Sequence, residues 1–232
     1  MIAGGDLDVD RFIIQTMGAN QRSVQEGMKV KALAHRWTLA FFKGDSSVDP
    51  REFDGLQRRI PAGSSQLIDA GATSGGDALS LFLLDTAISK VDSPTHLAMN
   101  KTMALRLSQA SRATGVAGFI TWDPNEFGTR VMSYNGLPLI QVDEDNQGGQ
   151  ILPFSEPNPG GGAAASTSIY VLSLGDGAMT GIQNGQVDVR DLGELEAKPV
   201  LRTRVEWYAG IALFQGKSVC RLRGIKNSAV VA

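Results

Sequence analysis

One cysteine and two histidines in 232 residues leave this chain little of the usual equipment for chemistry. A lone Cys220 excludes an internal disulfide and fits synthesis in a reducing compartment. His35 and His96 stand too far apart in sequence to make a metal-binding pair by spacing, and His35 sits mid-helix beside Arg36. The formal net charge is only -2, so no basic surface announces nucleic acid or an anionic membrane. No apolar run approaches the roughly 18 residues a membrane helix needs. The opening stretch MIAGGDLDVD is acidic and lacks the basic and apolar parts of a signal peptide. What is present is ordinary: 42% hydrophobic and 20% charged residues, enough for one large domain or two small ones around a sizeable core.

Proline is absent before Pro50, and that gap holds the most telling stretch. Apolar residues recur at helical steps through Ile13, Met17, Val24, Met28, Trp37 and Phe41. Asp8 or Asp10 can cap the start, and Gly44-Asp45 closes the segment. The pattern predicts one continuous helix over about 10–42, a rod of roughly 50 Å at 1.5 Å per residue. Such a rod is overlong for the core of a domain this size. Ile2-Ala3-Gly4-Gly5 ahead of it reads like the tail of an earlier segment.

The chain then becomes a long ordered loop, GDSSVDPREFDGLQRRIPAG, anchored by Phe53 and Leu56. A second helix is expected over 77–91, capped by Asp77, with Leu79, Phe82, Leu83 and Ile88 inward. THLAMN reads as a short buried strand, and Asn100 as the cap of a third helix over 101–113 that Gly115 ends. TRVMSY and LPLIQV flank Asn135-Gly136, a hairpin signal in which both turn positions tolerate positive φ. Pro138 lacks an N–H, so that arm is expected at an edge or a bulge. Ile151–Phe154 is expected to be a strand and 156–167 a flexible loop. SIYVLSL, AMTGIQ, VLRTRVEWYAGIALF and SVCRLRGI follow as strands, with Leu201, Thr203, Val205 and Trp207 on one face. Helices first and strands after them point to an α+β fold.

Candidate chemistry is thin. Asp143-Glu144-Asp145-Asn146 opens like a calcium loop, but the twelfth position is Phe154 where a closing glutamate is needed. The glycines at 71–76 and 160–162 match neither phosphate-loop pattern. Cys220 alternates inward, which suits a buried inert thiol. Arg58-Arg59 and the basic residues at 221–226 read as a solvated rim. The acidic loops at 45–54 and 143–145 could supply an acid–base pair, although no spacing rule links them. No catalytic, cofactor-binding or metal-ligating residue is assigned.

Several motifs in order carry a resemblance. They are GGDLDVDRF before the helix, FFKGD with DPREFDGL after it, PTHLAMNKTMALRL, YNGLPLIQVDED, YVLSLGDGAMTGIQ, and VRDLGELEAKPVLRTRVEWYAGIALFQGKSVCRLRGI. Together they resemble the major capsid proteins of tailed bacteriophages, whose Hong Kong 97-type fold encapsulins share. The resemblance covers nearly all of residues 4–226. It implies a spine helix within a peripheral domain over 1–60, an axial domain over 61–198, and return strands of the peripheral domain over 199–232. It implies a non-enzymatic subunit that self-assembles as hexamers and pentamers into an icosahedral shell around double-stranded DNA. It further implies scaffold or portal proteins as partners, weak non-specific contact with the DNA, no membrane and no cofactor. The place would be the virion of a phage or prophage, after assembly in the bacterial host cytoplasm. Family members carry an N-terminal arm and an extended loop before the spine, and almost nothing precedes Gly4 here. The chain alone is therefore expected as a monomer or a small, concentration-dependent oligomer. An encapsulin-type compartment is the alternative within the fold. A small enzyme using the acidic loops is the alternative outside it, separable by carboxylates with raised pKa values converging on a pocket.

Overall fold

A computed structural model describes residues 1–18, 20–112, 118–124, 130–142 and 144–231. The chain forms two compact units. The first holds Met1–Arg58 and Gly181–Ile211, and the second holds Arg59–Thr180 and Ala212–Ala232.

The first unit is a helix on a small sheet. Strand β1 (Ile2–Asp10) runs antiparallel to β10 (Val200–Leu213), from Ile2 opposite Tyr208 to Asp10 opposite Val200. β9 (Asp188–Glu194) pairs antiparallel with β10 as well, and β8 (Met179–Gln183) completes the sheet. Period-two alternation sorts the faces. Asp6, Asp8, Arg202 and Arg204 share one face, while Ala3, Thr203 and Val205 turn inward.

The expected continuous rod is broken. Asp10 caps a short helix, α1 (Arg11–Met17), by accepting a bond from the Phe12 N–H at 2.8 Å. Gly18 then takes φ 94°, a left-handed conformation that ends the helix. Helix α2 (Asn20–Lys43) starts afresh. Its buried stripe also differs from expectation. Val30, Leu33, Trp37, Ala40 and Phe41 face inward or are half-buried, whereas Met17, Val24 and Met28 are 54–67% exposed. Two apolar stripes lie at helical spacing on this segment, and β10 selects one. Leu33 packs on Ala3 and Val205, and Trp37 lies 6.2 Å from Trp207 between ring centroids. Further toward the N-terminus the contact is polar: Arg22 and Glu26 both bond the Thr203 hydroxyl. A one-turn helix, α3 (Leu56–Arg59), follows the loop after α2.

The second unit is built on a seven-stranded mixed sheet. Its strands are β2 (Leu67–Asp69), β3 (His96–Asn100), β4 (Ile120–Pro124), β5 (Arg130–Tyr134), β6 (Leu137–Val142), β7 (Ser166–Leu172) and β11 (Val219–Lys226), in the order β2-β11-β7-β3-β6-β5-β4. Central β7 is buried at every position, as a strand covered on both faces must be. Helices α4 (Leu81–Ser89) and α5 (Lys101–Ala110) lay Leu84, Ala87, Met103 and Leu107 into the same core as Leu97, Ile169 and Leu222.

Several local expectations meet corrections here. The second helix begins at Leu81 after Ser80, because the Asp77 backbone is paired with Gly224 and Lys226 beside β11 and its carboxylate accepts from the Thr73 N–H. Phe82 points outward, 75% exposed. Asn100 does cap α5, accepting from the Met103 N–H at 2.7 Å, but α5 ends at Ala110. Ala113, Gly115 and Asp143 fall outside the described residues. The Asn135-Gly136 turn takes φ of 50° and 78°, as its sequence requires. Pro138 is not on an edge strand. β6 pairs with β3 only from Leu139 onward, so the missing N–H falls before that ladder begins. Ile151 and Leu152 are buried in a bend, not in a strand. The stretch 156–167 is held at its ends, where Glu156 bridges Ser166 and Asn158 donates to the Thr73 carbonyl at 2.7 Å, while 161–165 stay exposed. The expected domain limits shift too. Residues 181–198 belong to the first unit because β9 pairs with β10. Residues 212–232 belong to the second because β11 pairs with β7 and β2.

Candidate assembly surfaces

Several of the residues that could have carried chemistry are engaged in holding the fold. In the loop after α2, Asp45 accepts from the Ser47 hydroxyl and backbone, Asp54 accepts from Ser46, and Arg58 bridges both carboxylates. These bonds hold both carboxyls below the ordinary carboxylate value. Neither is raised, as the general acid of an acid–base pair would be. Asp145 folds its own turn, accepting from the Gln147 and Gly149 N–H groups at 2.8 Å. Its oxygens are therefore used as an Asx-type turn uses them. Among the described residues, no group of three or more His, Cys, Asp or Glu side chains is placed to hold a metal ion. His96 Nδ1 lies 2.9 Å from the Thr95 hydroxyl. Burial pushes the Cys220 thiol up to about 11, which keeps it protonated and unreactive. Among the described residues, no helix is long and apolar enough to cross a membrane.

Two ion-pair systems stand out instead. In the first unit Arg204 grips Asp6 and Arg202 grips Asp8, each through two nitrogens at 2.6–3.1 Å, making a charged ladder across the β1/β10 pair. Hydrogen bonds from the two arginines hold both carboxyls below their ordinary value. Arg22 does the same for Asp191, aided by the Gly193 N–H, and holds it down to about 2. In the second unit Arg221 lies inside the fold. It bonds Glu156 and Ser168, both at 3.0 Å, and covers the Tyr170 ring. Next to it on β11, Arg223 bonds Asp69 at 2.6 Å. The basic stretch at 221–226, read from sequence as a solvated rim, thus places Arg221 in a buried pair while Arg223 pairs with Asp69 on the exposed side.

Apolar side chains left outside are the other conspicuous feature. In the first unit they include Phe12, Met17, Val24 and Met28 on the helices and Val189 and Leu192 on β9. In the second unit a groove of about 470 Å³ opens between α5 and the outer strands. Ala104 and Met132 form its buried floor, Leu105 and Trp122 its half-exposed walls, and Lys101 and Gln141 part of its rim. Sequence reading missed this groove. Leu105 continues a helical pattern, and Trp122 sits in ITWDP, a strand too polar and short to register as one.

No protein-family model matches this chain, and no curated protein matches its sequence. Solved structures do match. The holo-SrpI encapsulin complex from Synechococcus elongatus PCC 7942 aligns over 100% of this chain and 76% of its own, with a TM-score of 0.71 and 16% identity. A structure from Gordonia phage Cozz aligns over 100% of this chain and 70% of its own, at TM-score 0.58 and 15% identity. The capsid of an empty GTA particle aligns over 97% of this chain and 72% of its own, at 0.58 and 14%.

Proposed function

We propose, from the Hong Kong 97-type capsid fold that this α+β chain adopts, that it is a non-enzymatic shell subunit whose copies assemble side by side into a closed container. The observation that carries the reading is the match over 95–100% of the chain to shell-building structures despite 10–16% identity. So little sequence is shared that the common property is the arrangement of elements itself. On this reading the first unit is the peripheral domain and the second the axial domain, whose loops gather around the symmetry axes. Each contact buries moderate area, and repetition supplies the strength.

The contents proposed are double-stranded DNA, in the particle of a tailed phage or prophage built in the bacterial host cytoplasm with scaffold and portal partners. A formal charge of -2 supports containment without tight adhesion, since each phosphate contact would add salt-dependent affinity. The second reading is a compartment around protein cargo, favoured by the TM-score of 0.71 to an encapsulin against 0.51–0.62 to the phage structures. Particles purified from producing cells and treated with nuclease decide between them. The first reading expects protected double-stranded DNA of defined length. Particles holding protein and no nucleic acid would overturn it in favour of the second.

A further inference from the structure

The second unit carries two unlike apolar features at opposite ends of one sheet. The groove between α5 and the outer strands is at one end, since Lys101 follows Asn100, the last residue of β3, and Gln141 lies near the end of the parallel β6. At the other end is the turn after β7. Leu172 there pairs with His96, the first residue of β3. Beyond it Leu174, Gly175, Asp176 and Gly177 project into solvent. Phe214 stands beside this turn, its N–H bonded to the Ala178 carbonyl at 2.9 Å while Leu174 bridges Met179. Phe214 is 67% exposed and Leu174 38%.

We propose that the Leu174–Gly177 turn with Phe214 of one copy seats in the α5 groove of the next copy. This rests on the shell reading above and names the contact it uses. The chemistry of the two surfaces matches. A projecting pair of apolar side chains meets a groove walled by Leu105 and Trp122. The acidic Asp176 at the tip meets a rim that carries Lys101. Tryptophan in a concave site is the residue type that concentrates binding energy at interfaces, and a facing charge pair fixes register and orientation. The occupant is a second copy because both halves are on the same chain and cannot meet within it, lying at opposite strand ends. Such a contact is heterologous: each copy keeps one free socket and one free knob, so it propagates until a ring closes.

Cysteine trapping tests this. One preparation carries Asp176→Cys and another Gln141→Cys, both at exposed positions, with buried Cys220 as the silent background. Mixed at a concentration where sedimentation shows self-association, and mildly oxidised, the two should give a disulfide dimer containing one of each. Neither preparation alone should give that species. Charge reversal supplies an independent arm. Lys101→Glu and Asp176→Lys should each weaken association about two- to fivefold, the range of exposed pairs, and an equimolar mixture or the double variant should recover it. Association without the mixed disulfide and without charge rescue would overturn this contact while leaving the shell reading intact. A chain that stays monomeric at every concentration would overturn both.

Discussion

The two units use the same bond in opposite surroundings. In the first, Asp6 and Asp8 meet Arg204 and Arg202 on an exposed sheet face, where side chains stay 28–43% accessible. In the second, Glu156 meets Arg221 with only 7% and 11% of their side chains accessible. Exposed pairs gain little, because water and salt screen them and ordering two long side chains costs entropy. A buried pair is a different object. Its net contribution to stability is small, but losing one partner strands a charge in the interior. The cores follow the same division. The second unit has a continuous apolar core from Ile68 through Ile225, whereas the first buries Ala3, Leu33 and Val205 under α2 and Ala40, Phe41 and Phe42 near the helix end. The second unit is thus built to hold its own shape. The first adds exposed ion pairs to its apolar core and leaves apolar helix positions outside.

That contrast sets the order of expected effects. Glu156→Ala should destabilise the second unit most, by about 3–5 kcal/mol, because Arg221 would remain buried without its counter-charge. Equilibrium denaturation followed by Trp122 fluorescence measures it, and replacing Glu156 and Arg221 together by apolar residues should recover most of the loss. A loss under about 1 kcal/mol would show the pair to be solvated.

Trp37→Ala should cost about 2 kcal/mol in the first unit. That is below the usual figure for a fully buried aromatic, since Trp37 is only half-buried among Phe41, Phe53 and Trp207. Trp207 fluorescence in the variant gives the readout.

Acid should separate the units next. Asp6, Asp8, Asp45, Asp54 and Asp191 all have depressed pKa values. The stability they contribute is fully present above the ordinary value of 3.8 and is lost as pH falls through the folded values, about 2 for Asp191. Amide exchange between pH 4 and pH 2 should rise in β1, β9 and β10 before it rises in β3 and β7. Simultaneous opening would show that the ladder does not set the first unit's acid limit. Smallest of all, Arg202→Gln with Arg204→Gln should lower the melting temperature slightly in dilute buffer. The difference should vanish near 1 M salt, where the screening length is about 3 Å.

Much of this was legible in the sequence, and the failures have physical causes. The second unit was readable because its signals are local. Asn100 caps, Asn135-Gly136 turns, and SIYVL is apolar enough to be a central strand. The helix around 10–43 was readable as a helix but not in its phase. Met17, Val24 and Met28 repeat as well as Val30, Leu33 and Trp37 do, and only the position of β10 decides which stripe is covered. Gly18 looked like one tolerated glycine inside a long pattern, and its left-handed backbone cannot be read from composition. The partners of Arg221 and Arg223 were hidden because Glu156 and Asp69 lie 65 and 154 residues away. The candidate assembly surfaces were least legible, since an exposed leucine or tryptophan looks the same in sequence as a buried one.

The central claim, a subunit made to associate with copies of itself, is met most directly by electron microscopy. Negatively stained images of the purified 232-residue chain, taken across a concentration series, are the measurement. The account predicts rings or curved fragments of uniform subunit spacing that grow more abundant with concentration. Isolated single subunits at the highest concentration reached would contradict it.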